Sequence, residues 1–280
     1  MESICELDYP DVEILVVDNG STDYSVMRLR SRFPWLTIIE TGENLGFSGG
    51  CNKGIEFALE SGADYIWLLN NDAVAGTDAL SEMIVTAESD TNIGGVGCLV
   101  RDTVPPYDIQ AWGGGVVNLW TGTNRNITRA DGVARITHLY GASILLRSSA
   151  LRTVGLLDAG RYFMFWDEND LCLRLTYAGW RLAVCEKAEV FHEGSASVGK
   201  ASTKKYLYFS CSAVHFFCLH APIPLIPLGL GCIRSTVKFI LTGRFGLVSA
   251  VWFGYRKGLK ELAERRRLRF LIRGEFSRGR

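Results

Sequence analysis

Short apolar segments alternate with amphipathic segments along the first third of the chain. Residues 12–17 (VEILVV), 36–39 and 65–69 are apolar runs that end in polar turns, as buried strands do. Helical spacing of apolar residues separates them at 25–33 and 51–61, and the glycine-rich segment 44–50 is expected to form a loop before the second helix. This alternation predicts βαβ units, and therefore an α/β fold with a mostly parallel sheet and helices on both faces.

The middle of the chain continues the same pattern less regularly. Residues 101–137 are polar and glycine-rich, which is typical of loops and a hairpin. The remaining predicted elements are helices at 80–89 and 167–178, strands at 94–100 and 143–147, and short strands near the sheet edge at 184 and 190–191.

The last eighty residues have a different composition. Residues 206–233 carry no charged side chain but contain Pro222, Pro224 and Pro227, and basic residues dominate 256–280. Apolar helices beside lysine and arginine clusters favour contact with anionic lipid. We therefore predict a catalytic domain at 1–200 and a helical, membrane-associated region at 201–280, with a re-entrant or interfacial hairpin favoured over one straight span. A buried helix pair is the alternative.

Charge and cysteine content narrow the class of protein. The 30 basic residues balance the 30 acidic ones, so a dedicated nucleic-acid binder is not expected. The eight cysteines are scattered without metal-site spacing, which is typical of reduced cysteines in a cytoplasmic protein. The opening residues, which include Glu2, Glu6 and Asp8, do not resemble a secretory leader. We expect the chain at the cytoplasmic face of a membrane.

Acidic and amide side chains follow two of the predicted strands. Asp18 comes directly after the first strand, and Asn70 and Asp72 follow the third. Ligands of open α/β sheets bind beyond the carboxyl ends of the strands, and carboxylates there can hold a divalent cation. The alternative is that these residues only form turns.

Five segments together resemble the motifs of family 2 glycosyltransferases, in the order that family has them. The resemblance covers roughly residues 2–200, is nearest to the rhamnosyltransferase-like branch, and implies the GT-A (Rossmann-like) fold. The segments are VVDNGSTDYS (16–25), ENLGFSGGCNKGI (43–55), IWLLNNDAVA (66–75), the block 141–180 and AEVFHEGSAS (188–197).

The resemblance implies a donor site and a metal site. Asp72 and His192 occupy the positions that face a divalent cation, Mg²⁺ or Mn²⁺, and Asn70 replaces the first aspartate of the family's DxD motif. The positions of the nucleotide-sugar site are Asp18, Asn19, Asp23, Asn44, Gly46, Phe47, Asn70 and Asn71.

The resemblance also implies the catalytic carboxylate. Glu168 stands where the family has its general base, and the neighbouring Asp167 is the alternative. A single base with a nucleoside diphosphate leaving group implies inversion at the anomeric carbon. Trp166, Asp170 and Gly141 are the implied acceptor contacts, although Asp170 could instead cap a helix. His215 and His220 are interpreted as structural.

Relatives begin with an apolar strand and a helix, whereas this chain begins with ESICEL, which resembles the end of that helix. The fold is therefore expected to lack its usual first strand. Three explanations stay open: a start assigned too late, a natural fragment with weak or no activity, or another segment in that place.

The expected activity is transfer of a sugar from dTDP-rhamnose or a UDP-sugar to a lipid-linked or polysaccharide acceptor. A non-catalytic nucleotide-sugar binder or inactive fragment is the alternative, suggested by the expected missing strand and by Asn70. A nucleotidyltransferase would need a basic, glycine-rich loop near the start, which the sequence does not show.

Overall fold

A computed structural model describes residues 1–131, 136–194 and 202–277, without the side chains of 266 and 268–277. Across these residues the chain forms two compact units. The first comprises Met1–Val117, Asn124–Phe163 and Asp167–Ala196, and the second comprises Asn118–Thr123, Met164–Trp166 and Ser197–Arg280. The predicted domain boundary at 200/201 lies outside the described residues and stays a prediction.

The first unit alternates strands and helices. Its helices are α1 (Glu2–Cys5), α2 (Ser25–Arg32), α3 (Gly46–Glu60), α4 (Ala79–Glu88), α5 (Ser148–Val154) and α6 (Asp167–Tyr177). Its strands are β1 (Leu15–Asp18), β2 (Thr37–Glu40), β3 (Tyr65–Leu69), β4 (Ala73–Ala75), β5 (Ile93–Asp102), β6 (Ile109–Trp112), β7 (Gly114–Asn118), β8 (Thr123–Asn126), β9 (His138–Leu139), β10 (Ser143–Arg147) and β11 (Arg181–His192).

The main sheet is mixed, with strand order β3-β10-β5-β11-β4 and β6 attached to β5. Only β5 and β11 are parallel, and the other pairs are antiparallel. The prediction of a mostly parallel sheet is therefore wrong. The strand–helix alternation that suggested it holds for β1 and β2, which pair in parallel. From β5 to β10, successive strands are joined by loops without a crossover helix, and such connections permit antiparallel pairing.

The strands β1 and β2 form a separate two-stranded sheet. Helix α3 contacts both β1 and β3, but these two strands are not paired with each other in the described chain. The expected absence of the family's first strand stays a prediction.

The core lies on both faces of the main sheet, and β10 shows why. Successive side chains of a strand point to opposite faces. Leu145 packs with Met83 of α4 on one face, whereas Leu146 packs with Ile55 of α3 and Leu175 of α6 on the other. The sheet is therefore sandwiched between helices, as the sequence predicts.

Two elements differ from the sequence prediction. The glycine-rich segment 44–50, expected as a loop, is helical from Gly46 because its glycines allow close packing: a Cβ at Gly50 would lie 3.0 Å from Asn19 Nδ2. The two short edge strands around 184 and 190 are one strand, β11, next to the edge. A register shift between Cys185 and Glu189 lies between the two predicted segments.

The second unit contains α7 (Thr203–His220), α8 (Leu225–Leu241) and α9 (Phe245–Ser277). The helices α7 and α8 are separated at Pro222 and Pro224, as a hairpin requires. Across the residues that the structure describes, no helix is both long and apolar enough to cross a membrane. Membrane contact of residues 206–280 stays a prediction.

Candidate functional site

Asp72 and His192 lie side by side at the end of the main sheet. The antiparallel pairing of β4 with β11 sets His192 opposite Ala73, next to Asp72. His192 Nε2 is 3.2 Å from Asp72 Oδ1 and 3.2 Å from Asn70 Nδ2. Two residues far apart in sequence, both predicted to face a metal, are thus brought together.

Gln110 fixes the orientation of the His192 ring. Gln110 Nε2 lies 2.6 Å from Asp102 Oδ1 and 2.6 Å from the His192 carbonyl oxygen, which are both acceptors. This end of the side chain is therefore the amide NH₂, and Gln110 Oε1 faces His192 Nδ1 at 2.9 Å. Because Oε1 can only accept, Nδ1 of His192 carries a hydrogen.

In the neutral imidazole, a hydrogen on Nδ1 leaves His192 Nε2 as an acceptor. Asn70 Nδ2 donates to it, and the Asp72 carboxylate faces the same nitrogen. An imidazole lone pair beside a carboxylate is a donor set for a divalent cation, and the hydrogen bond at the opposite ring nitrogen is the usual support for such a ligand. Asp72 and His192 thus fit the predicted Mg²⁺ or Mn²⁺, with Gln110 behind them.

Two adjacent carboxylates, Asp167 and Glu168, lie at the start of α6. Asp167 is buried and accepts a hydrogen bond from Ser48 Oγ at 2.8 Å. Glu168 is half-buried, and a Cβ added at Gly141 would lie 3.6 Å from its carboxyl carbon. The missing Cβ of Gly141 thus leaves a methyl-sized gap in van der Waals contact with Glu168, whereas Asp167 is occupied by Ser48.

The two carboxyl groups titrate together. Burial raises the pKa of Asp167, and the hydrogen bond from Ser48 opposes this effect. Burial, followed by the charge of Asp167, raises the pKa of Glu168 well above its ordinary value. The pair is therefore arranged so that one carboxyl group, Glu168, takes up a proton readily.

Tyr140 connects the two acidic clusters. Its hydroxyl donates to Gln110 Oε1 at 3.1 Å. Its pKa is raised to about 12, first by burial and then by the negative charges of Glu168, Asp102 and Asp72. Tyr140 is thus within electrostatic reach of both clusters, which share one region of the first unit.

Asn19 holds the loop that precedes α3. Its Nδ2 donates to the Gly46 carbonyl oxygen at 2.8 Å, and its Oδ1 accepts from the Leu45 N–H at 2.9 Å. Asn44 Oδ1 accepts from the Gly46 N–H at 2.9 Å. Gly46 has a φ of +77°, and a Cβ there would lie 2.2 Å from the Phe163 carbonyl oxygen, so only glycine fits.

The other predicted donor residues have separate surroundings. Asp18 Oδ2 accepts from the Ser21 N–H at 3.2 Å. Asp23 is exposed, and hydrogen bonds from Ser25 lower its pKa. The Phe47 N–H donates to Phe163, and Asn71 is exposed just before Asp72. Donor contact by these residues stays a prediction.

Two predicted acceptor residues are buried. Asp170 lies in the first turn of α6, where it forms an ion pair with Arg174 at 2.8 Å and accepts a hydrogen bond from Tyr162. Trp166, in the second unit, is 2% exposed, and its indole N–H donates to the Phe209 carbonyl oxygen. Acceptor contact by either residue stays a prediction, which this burial disfavours.

Sequence reasoning missed three residues of the site. Gln110 lies in the stretch predicted as polar loops, and Ser48 lies among the glycines before α3. Tyr140 has the pattern of an ordinary core aromatic. Gln110 belongs to no recognisable spacing pattern, Ser48 lies inside the motif segment 43–55 but was given no role of its own, and Tyr140 directly precedes Gly141.

Comparison with known proteins identifies relatives of this chain. Residues 1–154 match the model of glycosyl transferase family 2. The N-acetylglucosaminyl-diphospho-decaprenol L-rhamnosyltransferase of Mycobacterium tuberculosis (strain H37Rv) is 31% identical over 253 residues, which cover 80% of this chain and 82% of the relative. Rhamnosyltransferase WbbL of Escherichia coli (strain K12) is 29% identical over 183 residues, covering 61% and 68%.

Among solved structures, the chain resembles a mannosyltransferase from Pyrobaculum calidifontis in complex with GDP-Man and Mn²⁺. The TM-score is 0.55 at 17% identity, and the match covers 94% of this chain and 69% of the other. At this identity the likeness concerns the fold, which is that of GT-A-like glycosyltransferases.

Proposed function

This chain belongs to glycosyl transferase family 2, in its rhamnosyltransferase-like branch, and on that premise we propose that it transfers a sugar from a nucleoside diphosphate donor to a lipid-linked acceptor with inversion. The observation that carries the proposal is twofold: Glu168, whose pKa is raised, lies beside Gly141, and Asp72 and His192 lie side by side as a donor set that fits a divalent cation. Tyr140 links the two clusters.

Glu168 acts as the general base in this mechanism. Its carboxylate takes the proton of the acceptor hydroxyl as the oxygen forms a bond to the anomeric carbon. The bond from that carbon to the diphosphate breaks, and the nucleoside diphosphate leaves with the electron pair. Attack from the side opposite the leaving group inverts the anomeric centre. A divalent cation, when bound, supplies positive charge against the diphosphate.

Each remaining polar residue positions one of these groups. Ser48 keeps Asp167 in place beside Glu168, and Gly141 leaves space for the acceptor hydroxyl. Asp72 and His192 would hold the cation, and an imidazole ligand would favour Mn²⁺ over Mg²⁺. Asn19 holds the backbone before α3 where the donor is proposed to bind.

The donor and acceptor follow from the relatives. We propose dTDP-L-rhamnose as the donor and an N-acetylglucosaminyl-diphospho-prenol as the acceptor. The relative with 31% identity is an N-acetylglucosaminyl-diphospho-decaprenol L-rhamnosyltransferase, which supports both choices. The test is release of nucleoside diphosphate from dTDP-rhamnose, a UDP-hexose and GDP-mannose, with and without acceptor. Release from dTDP-rhamnose that the acceptor accelerates supports the proposal. Binding of a donor without any release would favour the non-catalytic alternative.

The acid limb of the rate profile is expected to report the Asp167–Glu168 pair. The base works only when deprotonated, and its pKa is raised, so kcat/KM rises with pH well above the range of an ordinary carboxyl group. Asp167→Asn removes the negative charge that raises the pKa of Glu168, so the limb moves to lower pH. Asp64→Asn, at an exposed carboxylate before β3, is the control. An unmoved limb in Asp167→Asn would contradict the assignment.

The same pair makes stability depend on pH in the opposite sense. A carboxyl group whose pKa is raised in the folded state binds more protons than in the unfolded state. The protonated group's contribution to the free energy of unfolding is fully present below the ordinary pKa of 4.5. It is lost as pH rises through the raised pKa of the folded state. Activity and melting temperature are thus expected to change in opposite directions across this range.

Gln110 is proposed as a positioning residue for His192. Gln110→Met keeps the shape of the side chain but removes both hydrogen bonds to His192, so the Mn²⁺ concentration for half-maximal activity is expected to rise about 10- to 100-fold. kcat at saturating Mn²⁺ should change far less. Asn126→Ala, whose side chain contacts only the Gln110 backbone among its described bonds, is the control. An unchanged Mn²⁺ requirement would remove Gln110 from the account.

An apolar stripe on α8 supports contact of the second unit with a membrane surface. The exposed residues follow one helical face at Ile226, Leu230, Ile233, Val237 and Ile240. Lys238 lies beside this stripe, and Arg244 follows the helix. An amphipathic helix with adjacent cations fits an anionic bilayer, where a lipid-linked acceptor also resides.

Vesicle sedimentation tests this contact. The chain is expected to sediment with vesicles that contain phosphatidylglycerol and much less with neutral phosphatidylcholine vesicles. Val237→Glu on the stripe should lower binding several-fold, since it places a charge in the apolar face. Val85→Glu, at another exposed valine, on α4, should not. Equal binding of both variants would argue against the stripe.

A further inference from the structure

Two glycines bring α9 against α7 in the second unit. A Cβ at Gly254 would lie 2.4 Å from the Leu207 carbonyl oxygen, and one at Gly258 would lie 2.8 Å from the Cys211 carbonyl oxygen. Real side chains do not tolerate such distances from backbone atoms. The spacing of four residues puts both glycines on one face of α9, so the two helices are in backbone contact there.

Three metal-ligating side chains meet one turn beyond this contact. Cys211 and His215 are four residues apart on one face of α7, and Glu261 comes from α9. Glu261 Oε2 lies 2.8 Å from His215 Nε2 and 3.6 Å from Cys211 Sγ. The ligand atoms all lie within 4.8 Å of one another, which is the separation at which one ion can contact all three.

The surroundings direct these atoms at one another. His215 is fully buried and Cys211 is 6% exposed, whereas the Glu261 side chain is 35% exposed. Lys257 Nζ lies 3.8 Å from Glu261 Oε1, so the other carboxylate oxygen, Oε2, is the one turned to Cys211 and His215. The exposed side of Glu261 provides a route by which an ion reaches the buried ligands.

We propose that Cys211, His215 and Glu261 form a Zn²⁺ site that clamps α7 to α9. A thiolate, an imidazole and a carboxylate are the ligands that zinc takes in proteins, and the soft thiolate disfavours Mg²⁺. A thiolate and a carboxylate also balance the two charges of the ion. The sequence indicates no such site, because Glu261 lies 46 residues from His215 and no short spacing pattern joins them. The proposal is independent of the transferase activity.

Zinc binding by the whole chain tests the proposal, with a chromophoric chelator as competitor. Because Asp72 and His192 could also bind zinc, the measurement is made in the Asp72→Asn chain. One zinc equivalent is expected to remain there and to raise the melting temperature. Cys211→Ser and Glu261→Gln should each lower the zinc affinity by at least about 100-fold, which is the upper end of what residues that only support a ligand contribute.

Cys218→Ser is the matched control, since this half-buried cysteine lies on the same helix outside the cluster. It should bind zinc as the parent chain does. The proposal fails if the Asp72→Asn chain binds no zinc at micromolar free ion. It fails equally if Cys211→Ser and Cys218→Ser bind zinc with the same affinity. Equal melting temperatures of both variants and the parent chain without zinc would show that the comparison is between folded proteins.

Discussion

Replacing Glu168 with glutamine is expected to lower kcat by about 10²- to 10⁴-fold, the range that a positioned general base contributes. Glutamine has the shape of the protonated acid, and its NH₂ can donate to Asp167 as the protonated carboxyl group does. The fold and the donor site should therefore survive. The measurement is steady-state turnover of nucleotide-sugar donor with acceptor present, together with the donor Kd.

A comparison of Glu168→Gln with Asp167→Asn distinguishes which of the two carboxylates is the base. Asp167 is buried and bonded to Ser48, so Asp167→Asn is expected to act mainly through the position and pKa of Glu168, with a smaller loss. Glu186→Gln, on an exposed part of β11, is the control and should retain activity. A Glu168→Gln chain with near-normal kcat would rule this residue out.

Replacing Asp72 with asparagine is expected to lower kcat/KM by about 10²- to 10³-fold at a fixed, moderate Mn²⁺ concentration. A bound cation contributes several kcal/mol of stabilisation to the developing diphosphate charge, and each 1.4 kcal/mol is about a factor of ten. The amide removes the only carboxylate seen within 4 Å of His192 in the described residues. Higher Mn²⁺ should restore part of the loss.

Asp64→Asn is the matched control for Asp72→Asn. Asp64 is exposed and precedes β3, whereas Asp72 follows the same strand at its other end. Activity and Mn²⁺ dependence of the Asp64 variant should match those of the parent chain. Equal losses in both variants would mean that the effect is general and that Asp72 does not hold the cation.

Local pattern was sufficient to predict most of the elements. The strand at 65–69 and the strand at 143–147 occur where the apolar runs predict them, and α6 begins at Asp167 as expected. These segments depend on residues that are close in sequence. The direction in which strands pair depends on long-range contacts, and for that reason the mixed character of the main sheet was not predictable from strand–helix alternation.

Some residues of the candidate site could be predicted from the sequence, and others could not. Asp72 and His192 are 120 positions apart, and only the family resemblance suggested that they meet. Their proximity results from the pairing of β4 with β11. Gln110 could not be found from the sequence, because its importance depends on four atoms contributed by Asp102, Tyr140 and His192. Trp166 was assigned to the acceptor from its position beside the acidic pair, but its side chain is buried.

The stereochemistry of the transferred sugar tests the central claim most directly. The chain is incubated with dTDP-rhamnose, Mn²⁺ and an N-acetylglucosaminyl-diphospho-prenol, and the anomeric configuration of the new bond is read from its one-bond C1–H1 coupling. A product with the configuration opposite to that of the donor is the expected result, lost in Glu168→Gln and kept in Glu186→Gln. A product that retains the donor configuration would contradict the account.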